Sequence, residues 1–384
     1  MILPKQSKRL PSLDMLRGLI MVLMALDHAR FFVTKTHPLE YWGRSLPQYQ
    51  SILPFLTRLS SHLCAPGFFF LMGVSMVLFA DSRRRRNWSE GQITRHFVLR
   101  GLLLLVVQQF IVNPAWFLGT VGSTDMLGSS GPPGGGGEVY FNFDVLYGLG
   151  ACMIILSLFL RSGKVIVMAA SLAAILTTQV SMPASEHIST LYSLPARLLL
   201  IPGQTGSVLV NFPVIPWIGL AGLGIVSGKQ IVRDRDRALR WLAFAGAGFL
   251  ALFVIVRSIG GFGNFHAPGN ADWIAFLNLT KYPPSLSFTL FTLGIDLLVI
   301  VLLLRLGQTF TRHHSLLTFG RTAMFFYVVH MYFYALSGFA FPKGAGLGIT
   351  YLIWLVGLAL LYPLCRWYDR FKRGTAPNSV WRFF

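Results

Sequence analysis

The sequence predicts an all-α, polytopic membrane protein of about ten transmembrane helices with both termini in the cytosol. Three observations carry that prediction. Of the 384 residues, 54% are hydrophobic and only 12% charged, too little charge to cover a soluble domain of this length. Apolar runs of about 20 residues, the length that crosses a hydrocarbon layer, recur along the whole chain. The basic residues gather in alternate connections between those runs.

The runs lie at 13–33, 52–80, 97–119, 143–161, 164–181, 211–230, 238–258, 285–306, 316–338 and 347–366. With Lys5, Lys8 and Arg9 in the cytosol, the same side also collects Arg83 to Arg86, Arg95, Arg100, Arg161, Lys164, the cluster from Lys229 to Arg240, Arg305, Arg312, Arg321 and the group from Arg366 to Arg382. Altogether 24 of the 33 Lys and Arg fall there, the asymmetry that sets orientation in a membrane. The formal charge of +19 therefore reports topology and contact with lipid headgroups, and nucleic acid is excluded as a partner. The first run carries Asp14, Arg17, Asp27 and His28 and no small-residue cleavage site, so it is expected to stay in the protein.

No internal repeat or appended soluble domain is visible, and residues 1–384 read as one membrane domain. The longer connections, near 34–51, 120–142, 182–210 and 259–284, all fall on the far side, where an acceptor surface has room. Gly128 to Gly137 lacks the ending of a phosphate cradle and reads as a flexible far-side loop. Trp42, Trp116, Tyr140, Tyr192 and Trp273 read as interfacial anchors. Cys64, Cys152 and Cys365 have no metal-ligand spacing and sit within apolar runs, so no metal and no disulfide are expected.

Ionisable side chains inside a span are costly and turn inward, so each is a candidate for function. Asp14, Arg17 and His28 share a face of the first helix, with about 16 Å of rise between Arg17 and His28. Arg58 and His62 share a face of the second span. Arg321 opens the ninth span at its cytosolic end, His330 lies further out, and Asp144 opens the fourth from the far side. His28, His62, His330 and Asp144 thus converge at one depth. A secondary transporter would also place ionisable groups at mid-depth, but no inverted repeat or pair of broken helices supports it.

These residues carry a resemblance that covers nearly the whole chain. Ser12-Leu-Asp-Met-Leu-Arg17-Gly18, with His28 after ten intervening residues, resembles the Arg-X10-His signature of the transmembrane acyltransferases. His62-Leu-Cys-Ala-Pro-Gly-Phe-Phe-Phe-Leu-Met-Gly73 resembles the second-helix motif of a bacterial branch related to heparan-α-glucosaminide N-acetyltransferase. Phe212-Pro-Val-Ile-Pro-Trp217-Ile-Gly219, Lys281-Tyr-Pro-Pro-Ser285 with Thr292-Leu-Gly294, and Gly320-Arg321 with Phe326-Tyr-Val-Val-His330 are similar to later motifs of that branch.

The resemblance implies a membrane acyltransferase that moves an acetyl group from cytosolic acetyl-CoA to a sugar or glycan beyond the membrane, in a bacterial inner membrane. His28 matches the catalytic position. Asp144 is the expected holder of its imidazole, Arg17 and Arg321 the expected partners of the coenzyme A phosphates, and Arg58, His62 and His330 the expected acceptor-binding residues. The eukaryotic branch suggests His37, followed by Trp42, as an alternative base. Asp14 is the alternative, purely structural mate of Arg17. The sequence leaves the oligomeric state open, a homodimer included.

Overall fold

The computed structural model describes residues 11–36, 38–120, 132–135, 138–190, 192–269, 272–306, 315–376 and 379–382. His37 lies outside the described residues, and so does most of the glycine-rich segment. A helix occupies each of the ten apolar runs. They are α1 (Pro11–Thr34), α2 with α3 (Ile52–His62, Cys64–Arg84), α4 with α5 (Glu90–Val107, Asn113–Thr120), α6 (Val145–Leu158) and α7 (Lys164–Ser181). After the short α8 (Leu194–Leu199) come α9 (Val214–Arg233) and α10 (Arg235–Ile259); after the short α11 (Trp273–Leu277) come α12 (Leu286–Leu306), α13 with α14 (Ser315–Arg321, Ala323–Ser337) and α15 (Leu347–Gly374). Eight of these stretches are long and apolar enough to cross a membrane. Of the other two, α1 carries five charged or imidazole side chains and α6 has only 14 residues. The protein is an all-α polytopic membrane protein.

The breaks within the long spans have local causes. Pro66 has no N–H for the carbonyl of His62, and the chain changes from α2 to α3 at Leu63. Between α4 and α5, Gln108–Val112 forms a π-turn. Its loosened backbone leaves the Ile111 carbonyl to accept from the Tyr332 hydroxyl at 2.8 Å. The ends are capped where the sequence allows: Ser89 and Gln92 form a reciprocal capping box at α4, and Gly260 takes the left-handed conformation that closes α10.

Helix α1 runs through the middle of the bundle, against α3, α12, α13, α14 and α15. Its approach to α13 is close enough that both facing positions must be glycine. A Cβ at Gly320 would stand 1.7 Å from the Asp14 carbonyl oxygen, and one at Gly18 would stand 1.9 Å from that of Leu316. Such small-residue contacts let helices associate in lipid through backbone packing, where hydrophobic attraction between them is weak.

One end of the bundle gathers the short arginine-rich connections and is called here the basic end. The other, the sheet end, carries a feature absent from the sequence reading. Gly134–Gly135, Phe141–Phe143, Gly203–Thr205 and Val208–Val210 form β1 to β4 of one small sheet in the order β1-β3-β4-β2. Gly134 and Gly135, expected in a flexible loop, pair in parallel with Gln204 and Thr205. The first long connection also folds inward. The Tyr282 carbonyl accepts from Trp42 N, and the Glu40 carbonyl accepts from the amides of Lys281 and Tyr282 at 3.1 and 3.0 Å.

Candidate active site

Beneath the sheet lies a cavity of about 370 Å³, of the size that small-ligand sites occupy. Helix α1 contributes Asp27 and His28 to it, α5 contributes Trp116, and α14 contributes Tyr327; Asp144 and Lys281 reach it from the segments that precede α6 and α12. Helix α1 brings Asp27 and His28 to the wall as sequence neighbours, and the fold of the long connections closes the rest.

His28 is held from behind. Its Nδ1 lies 2.7 Å from Nε2 of His330, with the two rings stacked 5.0 Å apart. Nδ1 of His330 in turn lies 2.9 Å from the carbonyl oxygen of Phe326, one helical turn back. Only an N–H can bond a carbonyl, so Nδ1 of His330 carries hydrogen, and with both rings neutral its Nε2 accepts from Nδ1–H of His28. That network makes Nε2 the lone-pair nitrogen of His28, the form a general base requires. Trp116 and Tyr327 pack edge-on against the same imidazole at 5.2 and 6.2 Å between centroids.

Arg58 anchors a second set, buried except for Asp27, which opens onto the cavity. Its Nε and Nη2 donate to the two carboxylate oxygens of Glu40 at 2.8 and 2.7 Å, and Nη1 donates to both oxygens of Asp27 at 2.9 and 3.0 Å. Nε2 of His62 approaches Glu40 at 3.4 Å. Burial alone would raise the Glu40 carboxyl, but the charge and hydrogen bonds of Arg58, helped by His62, outweigh it and hold the group well below the ordinary carboxylate range. Burial, with Arg58 adding to it, lowers the Lys281 ammonium, while Asp27 and Glu40 offset part of that.

The predicted site residues therefore separate into three groups. His28 and Asp144 line the cavity, and Nδ1 of His28 lies against Nε2 of His330. Arg58, His62 and His330, expected at the acceptor, are 1%, 2% and 0% exposed and stand behind the cavity wall. Arg58 and His330 have their polar groups bonded to protein partners in this geometry. Arg17 and Arg321 sit far from the cavity, at the basic end. There Arg17 pairs with Asp14 at 2.7 Å and also donates to Ser75 Oγ at 3.0 Å and the Gly320 carbonyl at 3.3 Å.

Sequence reasoning missed Glu40, Lys281 and Trp116 as site residues. Glu40 and Lys281 stand in far-side connections, where charge is ordinarily solvated, and Trp116 was read as an interfacial anchor. Two signals were present: Lys281 opens one of the motifs that carry the family resemblance, and Glu40 is the single carboxylate in the 34–51 connection, where Arg58 needed one. Cys64 also borders the cavity, with its thiol facing the Ile20 carbonyl at 3.6 Å.

With this geometry in place, the profile of the heparan-alpha-glucosaminide N-acetyltransferase catalytic domain matches residues 9–258, well over half of the chain. The chain belongs to this family. It is accordingly a multi-pass membrane acetyltransferase, and membership favours group transfer over solute transport. The matched stretch contains Arg17, His28, Glu40, Arg58, His62, Trp116 and Asp144, whereas Lys281, Arg321 and His330 lie beyond it. No curated protein matches the chain.

Proposed function

We propose that the protein transfers the acetyl group of cytosolic acetyl-CoA to a sugar or glycan hydroxyl or amine on the opposite side of a bacterial inner membrane, with His28 as general base. The observation that supports this is the His28–His330 pair, in which Nδ1 of His28 is bonded to His330 while His28 lines the cavity. The basic end is taken as cytosolic, in keeping with the positive-inside distribution. Arg17, Arg321 and Arg100 would then meet the anionic head of coenzyme A. Arg100, from α4, lies near enough to Arg17 for the two cations to repel one another, a placement that an intervening phosphate would relieve.

The pantetheine arm would run along α1 and deliver the thioester to the cavity, a climb of about 16 Å from Arg17 to His28 at 1.5 Å per residue. There the acceptor attacks the thioester carbon, His28 Nε2 takes the acceptor's proton, and the C–S bond breaks as the sulfur leaves and receives that proton. Asp27, fixed by both of its oxygens to Arg58, and Asp144 would orient the acceptor's hydroxyl or amine hydrogens.

The test is acetyl transfer in sealed vesicles, with acetyl-CoA confined to the side of the basic end and a mixed glycan fraction on the other. Transfer by the wild-type protein that is lost in His28→Ala is the expected result. Transfer only when both substrates share one side would overturn the transmembrane reading, and full activity in His28→Ala would remove the base. His37→Ala in parallel separates the two candidate histidines.

A further inference from the structure

Five cationic side chains are buried among the described residues: Arg30, Arg58, Arg197, Arg257 and Lys281. Four of them have their charge met by the protein. Arg58 is saturated by Glu40 and Asp27, and Arg30 donates to the Pro54 carbonyl. Arg197 donates to the carbonyls of Pro202, Ile188 and Thr190, and Arg257 to those of Phe276, His266, Ala275 and Asn278. Lys281, only 5% exposed, forms no hydrogen bond and no ion pair with its ammonium among the described residues; its Nζ stands 5.0 Å from the centroid of the Tyr282 ring, and the carboxylates of Asp27, Glu40 and Asp144 act on it from beyond hydrogen-bond range. Yet its backbone is fixed, through the amide bonded to Glu40, and its side chain lines the cavity shared with His28.

An ammonium whose three donors are uncommitted to protein groups and that opens onto a cavity is placed to meet an acceptor bound there. Within this cavity that partner should be an oxygen that bears negative charge. We infer that Lys281 is a catalytic residue of the acetyl transfer, donating from Nζ to the carbonyl oxygen of the thioester as that oxygen becomes an oxyanion. The inference rests on the acetyltransferase reading above. When the nucleophile forms its bond to the carbonyl carbon, the π pair of the carbonyl moves to oxygen and meets the ammonium. When the tetrahedral species collapses, the pair returns, the C–S bond breaks, and the sulfur takes the proton that His28 removed from the nucleophile. Lys281 itself keeps its protons throughout. A donor placed where charge develops stabilises the transition state more than the ground state, because the neutral carbonyl attracts it less.

The experiment uses the full-length protein in detergent and hydrolysis of acetyl-CoA, with water as nucleophile, so that no acceptor need be known. Binding of S-acetonyl-CoA, a non-cleavable analogue, is measured alongside. Lys281→Met should lower kcat by about 10²- to 10³-fold, the usual loss for one oxyanion donor, with KM and the analogue's Kd little changed. Lys281→Arg, which keeps a cationic donor, should lose less. A kcat within threefold of wild type in Lys281→Met, or a loss confined to KM, would overturn the assignment while leaving the enzyme an acetyltransferase. Equal losses in both variants together with a lowered melting temperature would overturn it in favour of a packing role. Absence of any wild-type turnover, in hydrolysis and in transfer to glycans alike, would overturn the acetyltransferase reading and this inference with it.

Discussion

Nδ1 of His28 and Nε2 of His330 meet at 2.7 Å across 302 positions of sequence, and the second imidazole is itself fixed by the Phe326 carbonyl. A histidine can replace a carboxylate in orienting a catalytic imidazole, because a neutral ring offers one acceptor nitrogen once its other nitrogen is committed as a donor. The difference is electrostatic: a neutral partner fixes the tautomer without adding negative charge to a buried site, which suits an apolar surrounding of Trp116, Tyr327 and Phe326.

His28→Ala should cost about 10²- to 10⁴-fold in transfer rate, the range for loss of a general base. His330→Phe keeps a ring of similar shape but removes the acceptor, so the imidazole of His28 loses the bond that fixes hydrogen on its Nδ1. Its rate loss should be smaller than that of His28→Ala and should appear in kcat with the KM for acetyl-CoA unchanged. Steady-state kinetics on both variants checks the order.

Arg58→Met should destabilise the protein by about 3–5 kcal/mol, since it strands the buried carboxylates of Glu40 and Asp27 without their cation. The double variant Arg58→Met with Glu40→Gln should recover part of that loss, because one of the two stranded charges is then gone. Thermal unfolding in a single detergent, followed for wild type, single and double variants, measures the coupling.

The depressed Glu40 carboxyl has a predictable signature in pH. Its folded value lies below the ordinary 4.5, so its contribution to stability is fully present above about pH 4.5 and is lost as pH falls from there toward the folded value. The melting temperature of the wild type should therefore hold from neutrality down to that point and drop below it. In Glu40→Gln it should start lower at neutral pH and fall less steeply in acid, as a scan between pH 7 and pH 3.5 would show.

The helical stretches were legible because most are long and apolar and the basic residues gather in alternate connections, signals that a bilayer imposes locally. His28 was legible from its spacing to Arg17 on one helix. The partners of both were not. Glu40 reaches Arg58 only because its connection folds inward and bonds the segment at Lys281 and Tyr282, which is tertiary information. The small sheet was invisible for a similar reason: strands of two or three residues, two of them glycines, show no alternation to read. His330 was placed at the right depth, but depth alone could not distinguish a residue that meets the acceptor from one that steadies His28.

Gly320→Ala tests the packing at the basic end. The added methyl would stand 1.7 Å from the Asp14 carbonyl, so α13 must withdraw from α1, at a cost of about 1–3 kcal/mol for an overpacked contact. The same movement would pull the Gly320 carbonyl away from Arg17. A lower melting temperature with weakened acetyl-CoA binding is expected; an unchanged melting temperature would show that the two helices can separate freely.

Arg17 and Arg100, close enough to repel one another, should respond differently to substitution. Arg17 is already engaged by Asp14, Ser75 and the Gly320 carbonyl, so Arg17→Met strands a carboxylate as well as removing a cation, and its effects on folding and on cofactor binding will be mixed. Arg100 has no hydrogen bond or ion pair among the described residues, and its closeness to Arg17 is unfavourable in the empty protein. Arg100→Met should thus leave the melting temperature of the unliganded protein equal or higher, because a repulsion is relieved. It should at the same time weaken acetyl-CoA, and the thermal stabilisation that saturating acetyl-CoA confers should shrink accordingly. Dephospho-CoA derivatives locate the contact: if Arg100 meets the 3′-phosphate, the variant and the wild type will bind acetyl-dephospho-CoA equally well, and a persisting difference would place the guanidinium at the diphosphate instead. Unchanged affinity for both compounds would leave Arg100 to topology alone and shift the cofactor head to Arg17 and Arg321.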